Sequence, residues 1–277
     1  MNIVKRVETI LKDGGIEEYL AEAKLIVLEV SNLKLEDIIL GKIANEDKII
    51  EIAKSRAQTK KPLQYLLNCA YFMGSKYKVN ENVLIPRDET EILVNCAYEL
   101  VKNRKEKIDI LDIGTGSGCI SIELAKKMDN VEILGVDISS DAIRTALENV
   151  NNQNVVRKVI LRKSDLYSKI RGNEKFDLIV SNPPYIPLKN KNELQIEVLK
   201  EPESALFAND ENGVEFYDRI IKDAPKYLKE GGYVAFELGQ GQAGIVQKML
   251  QENFCDIKIT VDLANIKRVI TAKLKEV

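Results

Sequence analysis

The chain has 277 residues, of which 45% are apolar and 30% are charged, and its net charge is −2. This composition is ordinary for a soluble globular protein, and the length suits two domains or one large α/β domain with an extension. Because the net charge is near zero, the protein surface as a whole is not expected to bind a strongly charged partner. No apolar run approaches the ~18 residues of a membrane-spanning helix, so no membrane contact is expected.

Missing residue types restrict the possible chemistry. The sequence has no histidine, which removes Ser-His-Asp and Cys-His mechanisms, imidazole metal sites and histidine general bases. The four cysteines lie far apart, at Cys69, Cys96, Cys119 and Cys255. We therefore expect no metal site and no disulfides. Because residues 1–12 also lack the pattern of a secretory signal, the expected location is the reducing cytoplasm.

Residues 1–70 carry helical patterning only. Ile3, Val7 and Leu11 form an apolar stripe at helical spacing, and Gly14-Gly15 ends it. Three more apolar helical segments follow. The sequence therefore predicts a small helical bundle whose helices cover about residues 3–11, 20–30, 33–40 and 45–60.

Residues 71–86 are rich in aromatic and β-branched side chains separated by Gly74-Ser75 and by Asn80-Glu81-Asn82, which indicates a β-hairpin linker. The acidic cluster that begins at Asp88 suits a helix N-terminus, because the helix dipole is positive there. The last and largest domain is therefore expected to cover residues 87–277.

In this domain, strand and helix patterns alternate, which favours an open, mostly parallel α/β sheet covered on both faces. The seven predicted strands are Ile108–Ile113, Val131–Asp137, Val156–Lys163, Phe176–Ser181, Tyr233–Leu238, Cys255–Val261 and Arg268–Lys273. The predicted helices between them are Cys119–Met128, Ser140–Asn149, Val214–Leu228 and Gln242–Glu252. No helix separates the last two strands, so we expect an antiparallel hairpin at the sheet edge. In such sheets, ligands bind beyond the C-terminal ends of the strands.

The first strand ends in Asp112-Ile113-Gly114-Thr115-Gly116-Ser117-Gly118, which then opens a helix. The glycines allow a tight turn and close approach of the backbone to a ligand. The dinucleotide fingerprint requires glycine where this chain has Cys119, and no P-loop lysine follows. Asp112 would repel phosphates, but it suits a ligand that carries an ammonium and a sulfonium group.

Two further carboxylates follow the next strands. Asp137 ends the second strand, where an acidic residue binds ribose hydroxyls in related sheets. Asp165 follows the third strand and could accept a hydrogen bond from an adenine amino group, with Leu166 packed on the base. Each aspartate alone could be a helix cap. Together with the glycine loop, they predict an S-adenosylmethionine site.

The fourth strand ends in Ser181-Asn182-Pro183-Pro184-Tyr185. Two prolines cannot continue the sheet, and a residue before proline is held extended, so the Asn182 direction is restricted. The Asn182 side-chain oxygen and the turn carbonyls are acceptors, and Tyr185 offers a flat apolar wall. This arrangement suits a planar substrate with an N–H₂ group. A plain Asn-Pro turn is the alternative for the stretch taken alone.

The glycine loop together with Asn-Pro-Pro-Tyr resembles class I S-adenosylmethionine-dependent methyltransferases that act on planar nitrogens. Three further stretches, Lys61–Leu66, Leu84–Glu91 and Glu201–Leu206, resemble the PrmC/HemK family. Members of that family are protein-(glutamine-N5) methyltransferases of peptide chain release factors. The resemblance covers nearly the whole chain. One departure is Asp88, where the family usually has a second proline after the arginine.

The resemblance implies a Rossmann-like sheet of seven mostly parallel strands and a helical bundle that docks the substrate protein. It also implies that Asn182 is catalytic, and that the Pro183 carbonyl helps it to bind the amide of a glutamine in a Gly-Gly-Gln loop. A monomer without direct nucleic-acid contact is expected. The expected cofactor contacts are Asp112, Gly114, Thr115, Gly116, Ser117, Gly118, Asp137, Asp165, Leu166 and Asn182. The expected substrate contacts are Asn182, Pro183, Pro184 and Tyr185.

Two other functions stay open at the level of sequence. Adenine and guanine also present planar N–H₂ groups, so a nucleic-acid amino-group methyltransferase is the nearest rival. Residues 1–80 hold 13 basic and 11 acidic side chains, which is a weak electrostatic footprint for nucleic acid. The other possibility is a module that only senses S-adenosylmethionine, although a sensor does not need the acceptors of the Asn182 turn.

Overall fold

The computed structural model describes residues 2–40 and 42–276. The chain forms two compact units. The first contains Met1–Cys69 and Gln195–Lys200, and the second contains Ala70–Leu194 and Glu201–Val277. Nothing in the sequence indicates that the segment 195–200 belongs with the helical unit. Residues 71–86, expected as a hairpin linker, lie entirely in the second unit.

Helices form the first unit. They are α1 (Ile3–Asp13), α2 (Tyr19–Ser31), α3 (Leu35–Ile39), α4 (Glu46–Thr59) and α5 (Leu63–Leu67), followed much later by a 3-10 turn at Val198–Lys200. The Asn2 side chain caps α1 by accepting from the Val4 N–H at 2.9 Å. Val7 and Leu11 are fully buried in the core of this unit, as their helical spacing predicts, and so is Ile49 of α4.

A buried ion pair fastens the segment 195–200 within the first unit. The Arg56 side chain is only 3% exposed, and its guanidinium binds both carboxylate oxygens of Glu22 at 2.8 Å. Arg56 Nη2 also donates to Glu197 Oε1 at 2.6 Å. Three charged side chains that are distant in sequence are therefore joined around one desolvated guanidinium.

The second unit begins with a hairpin and continues as alternating strands and helices. The strands are β1 (Cys69–Phe72), β2 (Ser75–Lys78), β3 (Ile108–Ile113), β4 (Val131–Asp137), β5 (Val159–Lys163), β6 (Phe176–Ser181), β7 (Ile186–Pro187), β8 (Phe207–Ala208), β9 (Leu228–Glu237), β10 (Phe254–Val261) and β11 (Lys267–Leu274). The helices are α6 (Asp88–Val101), α7 (Cys119–Lys127), α8 (Ser140–Asn152), α9 (Glu203–Leu206), α10 (Glu215–Tyr227) and α11 (Ala243–Leu250), with a 3-10 helix at Leu188–Glu193.

Seven strands form the main sheet, in the order β10-β11-β9-β6-β3-β4-β5. The sheet is parallel except for β11, which runs antiparallel to both β9 and β10. The predicted mostly parallel α/β sheet with an antiparallel hairpin at its edge is therefore confirmed. Strand order reverses at β3, whose neighbours β4 and β6 are both parallel to it. Ile113 pairs with Ser181, so the glycine loop and the Asn182 turn leave the sheet side by side.

Both faces of this sheet are covered by helices. Ile110 on one face packs in a core with side chains of α6 and α7, such as Leu93 and Ile122. Leu111 on the other face belongs to a second core with Tyr217 of α10 and others of α11. The alternation of neighbouring residues between two cores explains why the buried strands read as continuous apolar runs. Within the described residues, no helix combines the length and apolar character needed to cross a membrane.

Candidate active site

The second unit contains a cavity of about 510 Å³ beyond the C-terminal ends of β3, β4, β5 and β6. Its volume lies within the ~300–1,000 Å³ typical of small-molecule sites. Ten of the residues predicted from sequence line it: Gly114, Thr115, Gly116, Ser117, Asp137, Asp165, Leu166, Asn182, Pro183 and Pro184. The lining does not include Asp112, Gly118 or Tyr185.

The glycine loop is shaped by left-handed backbone at three positions. Gly114, Gly116 and Gly118 have φ of 74°, 54° and 82°, a region that L side chains rarely adopt. A Cβ on Gly118 would lie 3.2 Å from the Cβ of Ala146 in α8, so this glycine serves helix packing. Gly114 and Gly116 instead face the cavity, where a Cβ would have no neighbour nearer than 3.9 Å.

Asp112 lies behind the loop rather than on the cavity surface. It is fully buried, and its Oδ2 accepts from Thr115 Oγ1 at 2.7 Å and from Ser121 Oγ at 2.6 Å. Burial raises the pKa of Asp112 to about 6, while the two hydroxyl hydrogen bonds oppose the shift. Asp112 Oδ1 is buried and has no hydrogen-bond partner among residues 2–40 and 42–276. The carboxylate therefore braces the loop and keeps one unused acceptor.

Asp137 ends β4 at the wall of the cavity. Its two oxygens accept from the Gly116 N–H at 3.0 Å and from the Ser139 N–H at 2.9 Å. Burial raises the pKa of this carboxyl, and the backbone hydrogen bonds work against the shift. The next residue, Ile138, also lines the cavity and is 57% exposed, and no sequence motif marks it.

Asp165 and Leu166 form the wall that follows β5. Asp165 is exposed and accepts from Arg219 of α10 at 2.9 Å. Leu166 has φ of 46°, an uncommon backbone state for a residue with a bulky side chain. The Ser164 hydroxyl holds this turn by donating to the Leu166 carbonyl at 2.8 Å. Strained backbone of this kind concentrates at ligand sites.

The Asn182 side chain is held by a buried network that the sequence motifs do not reveal. Asn182 Nδ2 donates to Thr90 Oγ1 at 3.3 Å, and Thr90 Oγ1 donates to Glu237 Oε2 at 2.6 Å. Thr90 and Glu237 are 3% and 2% exposed. Glu237 is the last residue of β9. An acidic residue at a strand end was the signal that predicted Asp137, and the same signal could have predicted Glu237. Thr90 has no such signal, because only the fold brings α6 to this strand end.

Tyr185 faces the sheet rather than the cavity. Its hydroxyl lies 3.5 Å from Glu237 Oε1, and its carbonyl accepts from Gln242 Nε2 at 2.8 Å. The same Gln242 nitrogen donates to the carbonyls of Asn212 and Gly213, and its Oε1 accepts from the Gly239 N–H. The partly buried ring packs against the core that contains Tyr217 and Phe236. Gln242 therefore anchors the position of the turn.

Glu201 joins two of the stretches that carry the family resemblance. Its buried carboxylate accepts from the Ile85 N–H at 3.0 Å and pairs with Arg87. Asp88 is the first residue of α6, directly after the Arg87 cap. Proline fits this first helical position and aspartate benefits from the helix dipole there, so both residue types suit the start of α6.

Taken together, a seven-stranded, mostly parallel sheet, a glycine loop after β3 and an Asn-Pro-Pro-Tyr turn beside it define a methyltransferase. Residues 89–211 match the family model of the methyltransferase small domain. A methyltransferase from Pyrococcus furiosus superposes with a TM-score of 0.52 at 18% identity, over 82% of this chain and 96% of that one. The catalytic domain of hMettl16, in complex with a MAT2A 3′UTR hairpin, superposes with a TM-score of 0.59 at 15% identity, over 93% of this chain and 91% of that one. Both similarities concern the fold.

Two curated relatives show to which family this chain belongs. The release factor glutamine methyltransferase of Fusobacterium nucleatum is 42% identical over 270 residues, covering 95% of this chain and 75% of that protein. The one of Streptococcus pneumoniae is 37% identical over 258 residues, covering 91% and 89%. This chain belongs to the release factor glutamine methyltransferase family. The resemblance of its motifs to that family is thereby confirmed.

Proposed function

We propose that this chain transfers a methyl group from S-adenosylmethionine to the side-chain amide nitrogen of a glutamine in bacterial peptide chain release factors. We further propose that this glutamine lies in their Gly-Gly-Gln motif. The observation that carries the proposal is the Asn182 amide, fixed by Thr90 at a cavity whose neighbouring wall is the glycine loop. Family membership supports the release factor as the substrate.

The residues of the cavity fit S-adenosylmethionine. Gly114 and Gly116 present bare backbone to the cavity, which allows a ligand to approach closely. Asp137 would bind the ribose hydroxyls, and Asp165 the adenine amino group. The unused Asp112 oxygen favours a ligand with positive charge nearby. When bound, the cofactor supplies a methyl group that its sulfonium has already activated.

The protein must position a weak nucleophile, because an amide nitrogen shares its lone pair with the carbonyl. Asn182 Oδ1 and the Pro183 carbonyl would accept the two amide hydrogens and aim the nitrogen along one direction. The same acceptors stabilise the positive charge that develops on nitrogen, an effect worth on the order of 10²–10³ in rate for one donor of an oxyanion hole. The alkylated nitrogen is acidic and would release its proton to water, so no histidine base is needed, and S-adenosylhomocysteine would be the other product.

The same proposal covers the role of the first unit, the oligomeric state and the location of the enzyme. We infer that the helical first unit docks the release factor, that the enzyme works as a cytoplasmic monomer, and that neither metal nor nucleic acid takes part. If docking contributes, a short Gly-Gly-Gln peptide should be methylated with a lower kcat/KM than the whole factor.

A transfer assay with methyl-labelled cofactor tests the proposal. The whole chain is incubated in parallel with a release factor, with the same factor carrying glutamate in place of the motif glutamine, and with RNA and DNA oligonucleotides. Label should appear only on the unaltered release factor. Label on an oligonucleotide would instead favour a nucleic-acid amino-group methyltransferase. Cofactor binding without any transfer would favour a sensor.

A further inference from the structure

We propose that Thr90 and Glu237 are positioning residues that decide which atom of the Asn182 amide faces the substrate. An ionised carboxylate can only accept hydrogen bonds. Glu237 Oε2 therefore takes the Thr90 hydroxyl hydrogen at 2.6 Å, and Thr90 Oγ1 in turn accepts from Asn182 Nδ2 at 3.3 Å. The amide nitrogen is thus turned toward Thr90, and Oδ1 is left as the acceptor for the substrate. This inference rests on the proposed function, because it concerns how the glutamine amide is received.

The burial of this chain of hydrogen bonds makes its direction strict. Thr90 lines the cavity but is only 3% exposed, and Glu237 is 2% exposed, so the hydroxyl hydrogen is largely shielded from water. Among the described residues, no hydrogen bond reaches Asn182 Oδ1, which agrees with its being the atom offered to a ligand. A side-chain amide that flipped would present two donors to a substrate that itself donates, and the substrate would be repelled.

The same hydrogen bonds make the orientation of the Asn182 amide depend on pH. Burial raises the pKa of Glu237 to about 7, while the Thr90 hydrogen bond and Arg268 oppose the shift. Once protonated, Glu237 can donate to Thr90, whose hydroxyl then points to Asn182 and favours the flipped amide. Turnover should therefore rise as pH increases through about 7. The other titratable or charged groups around Glu237 are Glu89 of α6, Cys119 of α7, Tyr185 after β6, Tyr217 of α10 and Arg268 of β11.

Variants of Thr90 separate positioning from packing. Thr90→Val keeps the shape and removes the hydroxyl, so kcat on the release factor should fall about 10–100-fold, the range known for removing a hydrogen-bond partner that orients a metal ligand. Its cofactor Kd should stay unchanged, and Thr90→Ser should restore most of the rate. Thr271→Val, another buried threonine in β11 away from the cavity, is the matched control and should keep full activity. Equal kcat for Thr90→Val and Thr271→Val would overturn the inference.

Glu237→Gln tests the pH dependence. The Gln side-chain oxygen still accepts from Thr90 but does not titrate, so the variant should keep measurable turnover and lose the step in kcat near pH 7. A step that persists unchanged in this variant would show that another group titrates and would overturn the inference.

A measurement without substrate keeps the inference separate from the proposed function. In the whole ¹⁵N-labelled protein, the Asn182 side-chain N–H₂ signals are identified by their loss in Asn182→Asp. They should shift with pH with a midpoint near the Glu237 pKa of about 7, and stay constant in Glu237→Gln. Signals that ignore pH in the wild type would refute the positioning network even if release factors are methylated. If no release factor is methylated but these signals titrate as expected, the proposed function fails and the network stands.

Discussion

At the scale of single residues, three carboxylates at strand ends have different tasks. Asp137 lines the cavity and holds the Gly116 N–H, Asp112 braces the glycine loop from behind, and Glu237 lies under the Asn182 turn. All three lose hydration, and burial raises the pKa of each. A strand-end carboxylate thus marks the site, but only its surroundings decide whether it meets ligand or protein.

Asp137 tests the cofactor contact. If it binds both ribose hydroxyls, Asp137→Ala should weaken S-adenosylmethionine binding by ~1.5–3 kcal/mol, the range for hydrogen bonds to a charged group. Titration calorimetry measures the change. Asp141→Ala removes a half-exposed carboxylate from the first turn of α8 and should leave Kd unchanged. Equal affinities of the two variants would remove Asp137 from the cofactor site.

Glu237 should lower stability at high pH. Its folded-state pKa of about 7 lies above the ordinary carboxyl pKa that it has in the unfolded chain. At a pH between these two pKa values, the folded protein binds a proton that the unfolded chain lacks. Stability is therefore lost as pH rises through this window. At ~1.4 kcal/mol per pKa unit, the loss is about 3 kcal/mol above the folded-state pKa.

Glu237→Gln should therefore melt at a higher temperature than the wild type above pH 7, with the advantage vanishing toward acid pH. Glu230→Gln alters an exposed carboxylate in the same strand and should show no such trend. Calorimetric melting curves across pH give the comparison. If the difference in melting temperature between Glu237→Gln and the wild type stayed constant with pH, the expected pH dependence would be contradicted.

At the scale of elements, the Asn182 turn is held by loops that approach it closely. Gly213 has φ of 70°, and a Cβ there would lie 2.1 Å from the Tyr185 carbonyl oxygen. Gln242 ties the same carbonyl to the Gly213 loop. The turn is therefore fixed by its packing against the segment before α10 and the start of α11.

A pair of glycine variants isolates this packing. Gly213→Ala and Gly74→Ala both place alanine at positive φ, 70° and 75°, but a Cβ on Gly74 has no atom within 4 Å. Both should lose about 1–2 kcal/mol of stability from the backbone state alone. Gly213→Ala should also displace the turn and cost on the order of 10² in kcat. Similar kcat for the two variants would show that the turn tolerates displacement.

The sequence predicts the sheet better than the site. Strands β3, β4 and β6 begin and end where their buried apolar runs do. β9 was predicted to begin at Tyr233 but begins at Leu228, because Leu228 already pairs with Phe176. The sequence Gly231-Gly232 is typical of a turn and hides this earlier part of the strand. The two-residue strands β7 and β8 are too short for a periodic pattern. The contacts of Thr90 with Asn182 and Glu237 span 92 and 147 residues, and no local pattern encodes them.

At the scale of the whole molecule, the chain leaves the second unit after Leu194, runs through the first unit as Gln195–Lys200 and returns at Glu201. This excursion follows the Asn182 turn in sequence. Arg56 holds it within the first unit through Glu197.

Arg56 should therefore control the order of this segment. Arg56→Met leaves Glu22 and Glu197 without their cation, and the first unit should lose roughly 3 kcal/mol, the lower end for breaking a buried ion pair, because Glu197 is 40% exposed. Hydrogen exchange should accelerate in residues 195–200. Arg6→Met breaks the half-exposed Arg6–Glu46 pair and should cost under about 1 kcal/mol. Unchanged exchange in Arg56→Met would contradict the clamp.

Tandem mass spectrometry of a bacterial release factor, after incubation with S-adenosylmethionine and either the wild type or Asn182→Ala, tests the proposed chemistry most directly. With the wild type, the Gly-Gly-Gln peptide should gain the mass of one methylene, and the fragments should place it on the glutamine side chain. Asn182→Ala should retain its fold and cofactor binding while its rate falls on the order of 10²–10³. Methylation at another residue, or a near-wild-type rate for Asn182→Ala, would contradict the role given to the Asn182 amide.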